Sequence, residues 1–152
     1  MMVELTAATR PSDGVYAQLV DEDLFRFLLG IEVQKAERLR YVVSVMYIDV
    51  ESHASALKAA NMLAGGLRAV DAVAVSEESA VALLLVDAGA SDLLGIVRRL
   101  RSTWLQSVAW SAGAACYPQT ARSAEDLVAQ AWEMMARAKN DGGWRLYGAE
   151  ES

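Results

Sequence analysis

The chain has 152 residues, 54% of them hydrophobic and 22% charged, with a formal net charge of −6. That balance fits one folded domain with a sizeable core rather than a disordered chain, and the acidity argues against DNA or RNA as a partner, because neutralising phosphates takes clustered Lys and Arg. A single cysteine, Cys116, and a single histidine, His53, leave no internal disulfide and no zinc cluster to propose.

In chain order, no apolar run is long enough to cross a bilayer, and Met1-Met2-Val3-Glu4-Leu5 lacks the basic and apolar regions of a signal peptide. A cytoplasmic protein with no membrane insertion is therefore expected. Residues 1–12 read as an N-terminal tail, 13–148 as a single domain and 149–152 as a C-terminal tail, with no repeat or linker inside. The first helix is predicted from about Asp21, where Asp21, Glu22 and Asp23 suit the positive helix end, with Leu24, Leu28, Ile31, Phe25, Leu29 and Ala36 on its apolar side. Tyr41 to Ile48 is a nearly continuous apolar run and predicts a central strand buried on both faces, ending at Asp49. Ser52 or Ser55 can cap a second helix, in which Ala56, Ala60, Leu63 and Leu67 recur at helical spacing up to the weakening pair Gly65-Gly66.

Ala72–Val75 and Ala80–Val86 predict the two arms of a hairpin with Ser76-Glu77-Glu78-Ser79 at its tip. Ser91 is expected to cap a third helix that turns Leu93, Leu94, Val97, Leu100 and Trp104 to the core and its arginines outward. Val108, Trp110 and Ala112 alternate along a fourth strand. Ser123 with Asp126 resembles a capping box for a last helix, with Leu127, Ala131, Met134 and Ala138 inward and Gly142-Gly143 as its stop; Trp144 to Tyr147 can add an edge strand.

From Tyr41 onward the order strand, helix, strand, strand, helix, strand is a βαββαβ core, a split βαβ arrangement with an antiparallel hairpin in its middle. The fold class is α+β, an antiparallel-rich sheet covered by helices. Such folds carry many functions, so the function has to come from particular residues.

Phe25, Glu32 and Ala36 in the first helix, Tyr47-Ile48-Asp49 at the strand end, Leu67-Arg68-Ala69-Val70-Asp71 before the hairpin and Ser111-Ala112-Gly113-Ala114-Ala115 together resemble a GGDEF domain. The closing segment adds Glu125-Asp126-Leu127, Ala131, Met135, Ala138-Lys139, Gly142-Gly143-Trp144-Arg145 and Tyr147, so the resemblance runs from residue 13 to residue 147. It implies the palm-like fold of nucleotide cyclases and a place in bacterial signalling. Active members of the family are diguanylate cyclases, which join two GTP molecules into cyclic di-GMP with two metal ions.

The departures from the family pattern argue against that activity. In register, Glu77-Glu78-Ser79-Ala80-Val81 falls where the Gly-Gly-Asp/Glu-Glu-Phe signature belongs. Phosphoryl transfer needs a turn that admits the nucleotide and carboxylates that hold metals, yet Glu77 and Glu78 stand where the family needs bare backbone and Ser79 replaces a metal-binding acid. Asp49 matches the other metal-binding aspartate, but its favoured reading is a strand-end Asp that caps the next turn. The family's guanine-gripping segment is missing, because Val50-Glu51-Ser52-His53 passes straight into the helix. Lys139 matches a lysine that serves a phosphate in the family, or is a solvated last-turn lysine complementing the helix dipole. Neither catalytic residues, metal nor cofactor is expected.

Arg68-Ala69-Val70-Asp71 matches an Arg-x-x-Asp motif through which members of the family bind cyclic di-GMP away from the active site. An Arg can donate two parallel bonds to guanine O6 and N7 while a carboxylate accepts from the opposite edge, and Arg99, with Arg98 beside it, falls where the family adds a second arginine. Asp71 also has an ordinary structural reading. The alternative is a protein-interaction or dimerisation module without a nucleotide, motivated by Trp132 and Trp144, which replace polar family residues; either they form a partner surface or they fill the volume left by the deleted segment.

Overall fold

The computed structural model describes residues 18–66, 71–76, 79–103 and 108–149. Its elements run β1 (Gln18–Val20), α1 (Glu22–Leu39), β2 (Val43–Val50), α2 (His53–Gly66), β3 (Ala72–Val75), β4 (Ala80–Val86), α3 (Ala90–Thr103), β5 (Trp110–Tyr117), α4 (Ala124–Asn140) and β6 (Leu146–Gly148). They form one six-stranded sheet in the order β1-β3-β4-β2-β5-β6. β2 is antiparallel to both of its neighbours, β4 and β5, and β3 is antiparallel to β4, while β1 joins β3 and β6 joins β5 in parallel. The expected α+β core is therefore present.

The period-two rule of a strand divides the core into two layers. On one face Met46, Ile48 and Val50 of β2 meet Val81, Leu83 and Leu85 of β4 and the inner sides of α2 and α3. On the other, Val43, Val45 and Tyr47 meet Phe25, Leu29 and Val33 of α1 and Leu127, Ala131 and Met135 of α4. β2 is buried on both faces, as its apolar run predicts. The strand residues beneath α1 and α4 are mostly small, including Ala80, Ala82, Gly113 and Ala115, and this lets α4 lie close on β5.

Local signals set the helix ends. Asp21 accepts from the Leu24 N–H at 2.8 Å, and Ser123 accepts from the Asp126 N–H at 3.1 Å. Of the two serines proposed for α2, Ser52 is the cap, accepting from the Ser55 N–H at 3.1 Å. Gly142 and Gly143 take φ of +111° and +72° after α4, conformations that suit glycine.

Several sequence expectations are corrected. β1 lies where no strand is predicted; it gains its place by pairing with β3 rather than from its own pattern. In α1 the inward residues are Phe25, Leu29, Val33 and Ala36, while Leu24 and Ile31 are exposed, because the sheet selects one of two apolar stripes on that helix. α3 is capped at Gly89, whose N–H donates to Asp92 Oδ2 at 2.9 Å, so Ser91 lies inside the helix; Leu94 faces solvent and Ile96 takes the buried place. Met135 rather than Met134 is the buried methionine of α4, and the edge strand sits at Leu146–Gly148 instead of starting at Trp144. Ala149, assigned to the tail, donates its N–H to the Ala114 carbonyl at 2.8 Å. Leu67 and Trp104 lie outside the described residues.

Candidate functional site

The end of β2, the tip of the β3–β4 hairpin, the start of β5 and the end of α4 meet at one pole of the sheet. Asp49 lies in register with Ala80 of β4 on one side and Ser111 of β5 on the other. A cleft of about 210 Å³ opens there, lined by Asp49, Glu51, Trp110, Ser111, Lys139 and Trp144, with Gly143 in its wall.

Asp49 does not cap the following turn, which Ser52 serves. Its Oδ2 instead pairs with Lys139 Nζ at 3.1 Å, with the aspartate side chain 17% exposed and the lysine 66%. Lys139 is in the last turn of α4, so its charge serves both the helix end and the carboxylate; a pair this open to water contributes at most about 1 kcal/mol. Glu51 is used locally, accepting from the Ala109 N–H at 3.1 Å. Trp144 has φ of +58°, its N–H donates to the Trp110 carbonyl at 2.6 Å, and its ring meets Trp110 edge to face at 6.5 Å. The Trp144 side chain is 49% exposed.

The hairpin tip is closed on itself. Ser76 is buried; its carbonyl accepts from the Ser79 N–H at 3.2 Å and its hydroxyl from the Ala80 N–H at 3.1 Å, while Ser79 takes φ of +68°. Glu77 and Glu78 lie outside the described residues. Ser76 is a site residue that the sequence reading passes over as mere turn, although a serine directly after an apolar arm is a signal for such a closing acceptor.

The Arg-x-x-Asp residues are placed unequally. Asp71 is 3% exposed, just ahead of β3, and its Oδ1 accepts from the Val86 N–H at 2.9 Å, which ties the entrance of the hairpin to its exit. Arg98 and Arg99 are on the exposed side of α3, and Arg68 lies outside the described residues. The two tryptophans proposed for a partner surface have different partners. Trp132 is half-buried and meets Tyr47 edge to face at 5.2 Å, packed against the layer under α1 and α4, whereas Trp144 stands exposed against Trp110.

Tyr47, beneath Trp132, is buried with no hydrogen-bond partner for its hydroxyl among the described residues, and burial raises its pKa to about 12. Tyr47→Phe removes that orphaned hydroxyl and is expected to raise stability by about 1 kcal/mol in urea unfolding. The raised pKa adds a pH dependence: below the ordinary tyrosine value of 10.0 the hydroxyl is neutral in folded and unfolded chain alike, and as pH rises toward 12 its ionisation favours the unfolded chain, so the wild type loses stability over that range more steeply than the variant.

The sequence matches no family model and no curated protein. Solved structures do match in fold. The GGDEF domain of YfiN (also TpbB) from Pseudomonas aeruginosa is 22% identical, with 88% of this chain and 98% of that one covered and a TM-score of 0.72. The active GGEEF domain of a diguanylate cyclase from Vibrio cholerae is 13% identical, with 89% and 100% covered and a TM-score of 0.73. The coiled coil and GGDEF domain of DgcB from Caulobacter crescentus, in complex with c-di-GMP, is 16% identical, with 86% and 82% covered and a TM-score of 0.66.

Proposed function

With the fold of a GGDEF domain as the premise, we propose that this chain is a catalytically inactive domain of bacterial signalling, acting in the cytoplasm, that binds cyclic di-GMP instead of making it. The observation that carries the inactive half is at the end of β2. Asp49 stands opposite Ala80, one residue from Ser79, so the two positions that resemble the family's metal-binding acids are neighbours and hold one carboxylate between them. Lys139 already neutralises that carboxylate. Two metal ions on transferring phosphates need several oxygen ligands left open, and Asp49 with Ser79 does not fit such a pair.

The binding half rests on Arg68, Asp71 and Arg99, with Arg98 alongside, and on the fold shared with DgcB, whose structure holds c-di-GMP. Guanine O6 and N7 are acceptors and are read by the arginines, while Asp71, whose Oδ1 already accepts from Val86, would bear only on the N1–H and amino edge. Calorimetric titration with cyclic di-GMP is expected to give saturable binding that Arg68→Ala weakens at least about tenfold, as for loss of a bidentate contact; GTP with magnesium is expected to yield no cyclic di-GMP. An absence of heat at high cyclic di-GMP concentration would sink the receptor reading, and turnover of GTP would overturn the inactive one.

A second reading is favoured by the exposure of Trp144. A large aromatic beside a cleft is the kind of anchor that a protein partner or a second copy buries, and this module would need no nucleotide. Trp144→Ala would then abolish partner capture while Arg68→Ala left it intact.

A further inference from the structure

The outer side of α1 departs from what a surface helix presents. Phe25, Leu29, Val33 and Ala36 already face the core, so the opposite side should be polar. Instead Leu24, Phe27 and Ile31 are 41%, 64% and 38% exposed. Positions three and four apart share one side of a helix, so these three form a continuous apolar strip in the first half of α1.

Charge is distributed lengthwise along the same helix. Asp21, Glu22 and Asp23 stand at its start, and Lys35, Arg38 and Arg40, with Glu37 among them, at its end. The ion pairs Glu22–Arg26 at 3.9 Å and Glu32–Lys35 at 3.1 Å lie within the helix, while Asp23 and Arg38 are exposed at opposite ends. A helix that complements this strip has to run basic, apolar, acidic alongside it, and α1 read in the reverse direction does so.

We propose that the outer face of α1 is a self-association surface on which two copies of this chain pair through antiparallel α1 helices. A two-fold axis near the middle of the strip sets Phe27 of each copy against Ile31 of the other and brings Asp23 of each opposite Lys35 of the other, within one turn of its Arg38. A parallel pairing would set acid against acid. Gly30, beside the strip, leaves open space where a side chain would stand, which permits close approach. The two-fold arrangement makes one patch serve both partners. A single helix of 18 residues spans about 27 Å and covers less than the roughly 800 Å² per partner of a standard interface, so the dimer is weak and concentration-dependent.

Sedimentation velocity on the full chain, from low micromolar to near-millimolar protein, tests this. The wild type is expected to shift from monomer toward dimer, and Phe27→Asp to remain monomeric with an unchanged thermal midpoint, since Phe27 is exposed. Asp23→Lys and Arg38→Glu are each expected to weaken the dimer several-fold, and the double variant to restore it, because the reversed charges again meet across the axis. A wild type that stays monomeric throughout, a dimer indifferent to Phe27→Asp, or a double variant no better than the singles would overturn the proposal.

Discussion

Gly113→Ala is expected to lose about 3 kcal/mol of stability or more, a large share of the roughly 5–15 kcal/mol that holds a domain folded. The reason lies in the backbone and not in glycine's flexibility. Gly113 sits in β5, paired with Tyr47 of β2, beneath α4. A Cβ built there would collide with the Met135 nitrogen and the Ala131 carbonyl oxygen and lie 2.7 Å from the Met134 carbonyl carbon. Backbone atoms of a helix cannot turn aside as a flexible side chain does, so α4 would have to lift, exposing Leu127, Ala131 and Met135. Soluble yield, chemical denaturation and near-ultraviolet dichroism of the variant check the expectation. A midpoint within error of the wild type would mean that α4 has room to move on β5.

The second large effect is expected at Asp71. Asp71→Ala removes a buried carboxylate that accepts from the part-buried Val86 N–H, and losing the acceptor of a buried donor costs about 1–3 kcal/mol. Asp71→Asn keeps an oxygen at the same place and should cost less. Denaturant midpoints for both variants, measured beside their affinity for cyclic di-GMP, separate two roles. If Asp71→Ala lowers stability while Asp71→Asn retains both stability and binding, the residue holds the hairpin together and the arginines read the ligand. An unchanged midpoint with binding abolished would assign the carboxylate to the ligand instead.

The parts of the fold that could be read from sequence are those whose signals are local or doubly constrained. The Val-rich run that became β2 announces a strand covered on both sides, and the serines and aspartate at positions 52, 123 and 21 cap helices as their chemistry dictates. Where two answers satisfy the same local rule, only the tertiary partner decides. α1 is apolar at both Leu24-Phe27-Ile31 and Phe25-Leu29-Val33, and the sheet takes the second set. β1 has no pattern of its own to read, being three residues that owe their conformation to β3.

The candidate site shows the same division. Its positions were legible because the strand end, the hairpin and the last helix follow in a familiar order. The contacts were not, since each joins residues remote in sequence: Lys139 to Asp49, Val86 to Asp71, Trp132 to Tyr47. An isolated aspartate cannot disclose whether its carboxylate is free for a ligand or held by a lysine arriving from another helix.

The central place of β2 also sets how the cleft can move. Bonded on one side to β4 and on the other to β5, and covered on both faces, its amides reach solvent only when the whole sheet opens, so they should be among the slowest to exchange hydrogen. β6, three residues long and paired on one side only, can detach alone. Asp49 is thus mounted on a strand paired on both sides, while Trp144 stands two residues ahead of a short edge strand. One wall of the cleft is therefore expected to hold still while the other opens, and whatever closes on it should register as slowed exchange around Trp144 to Tyr147 with β2 unaltered.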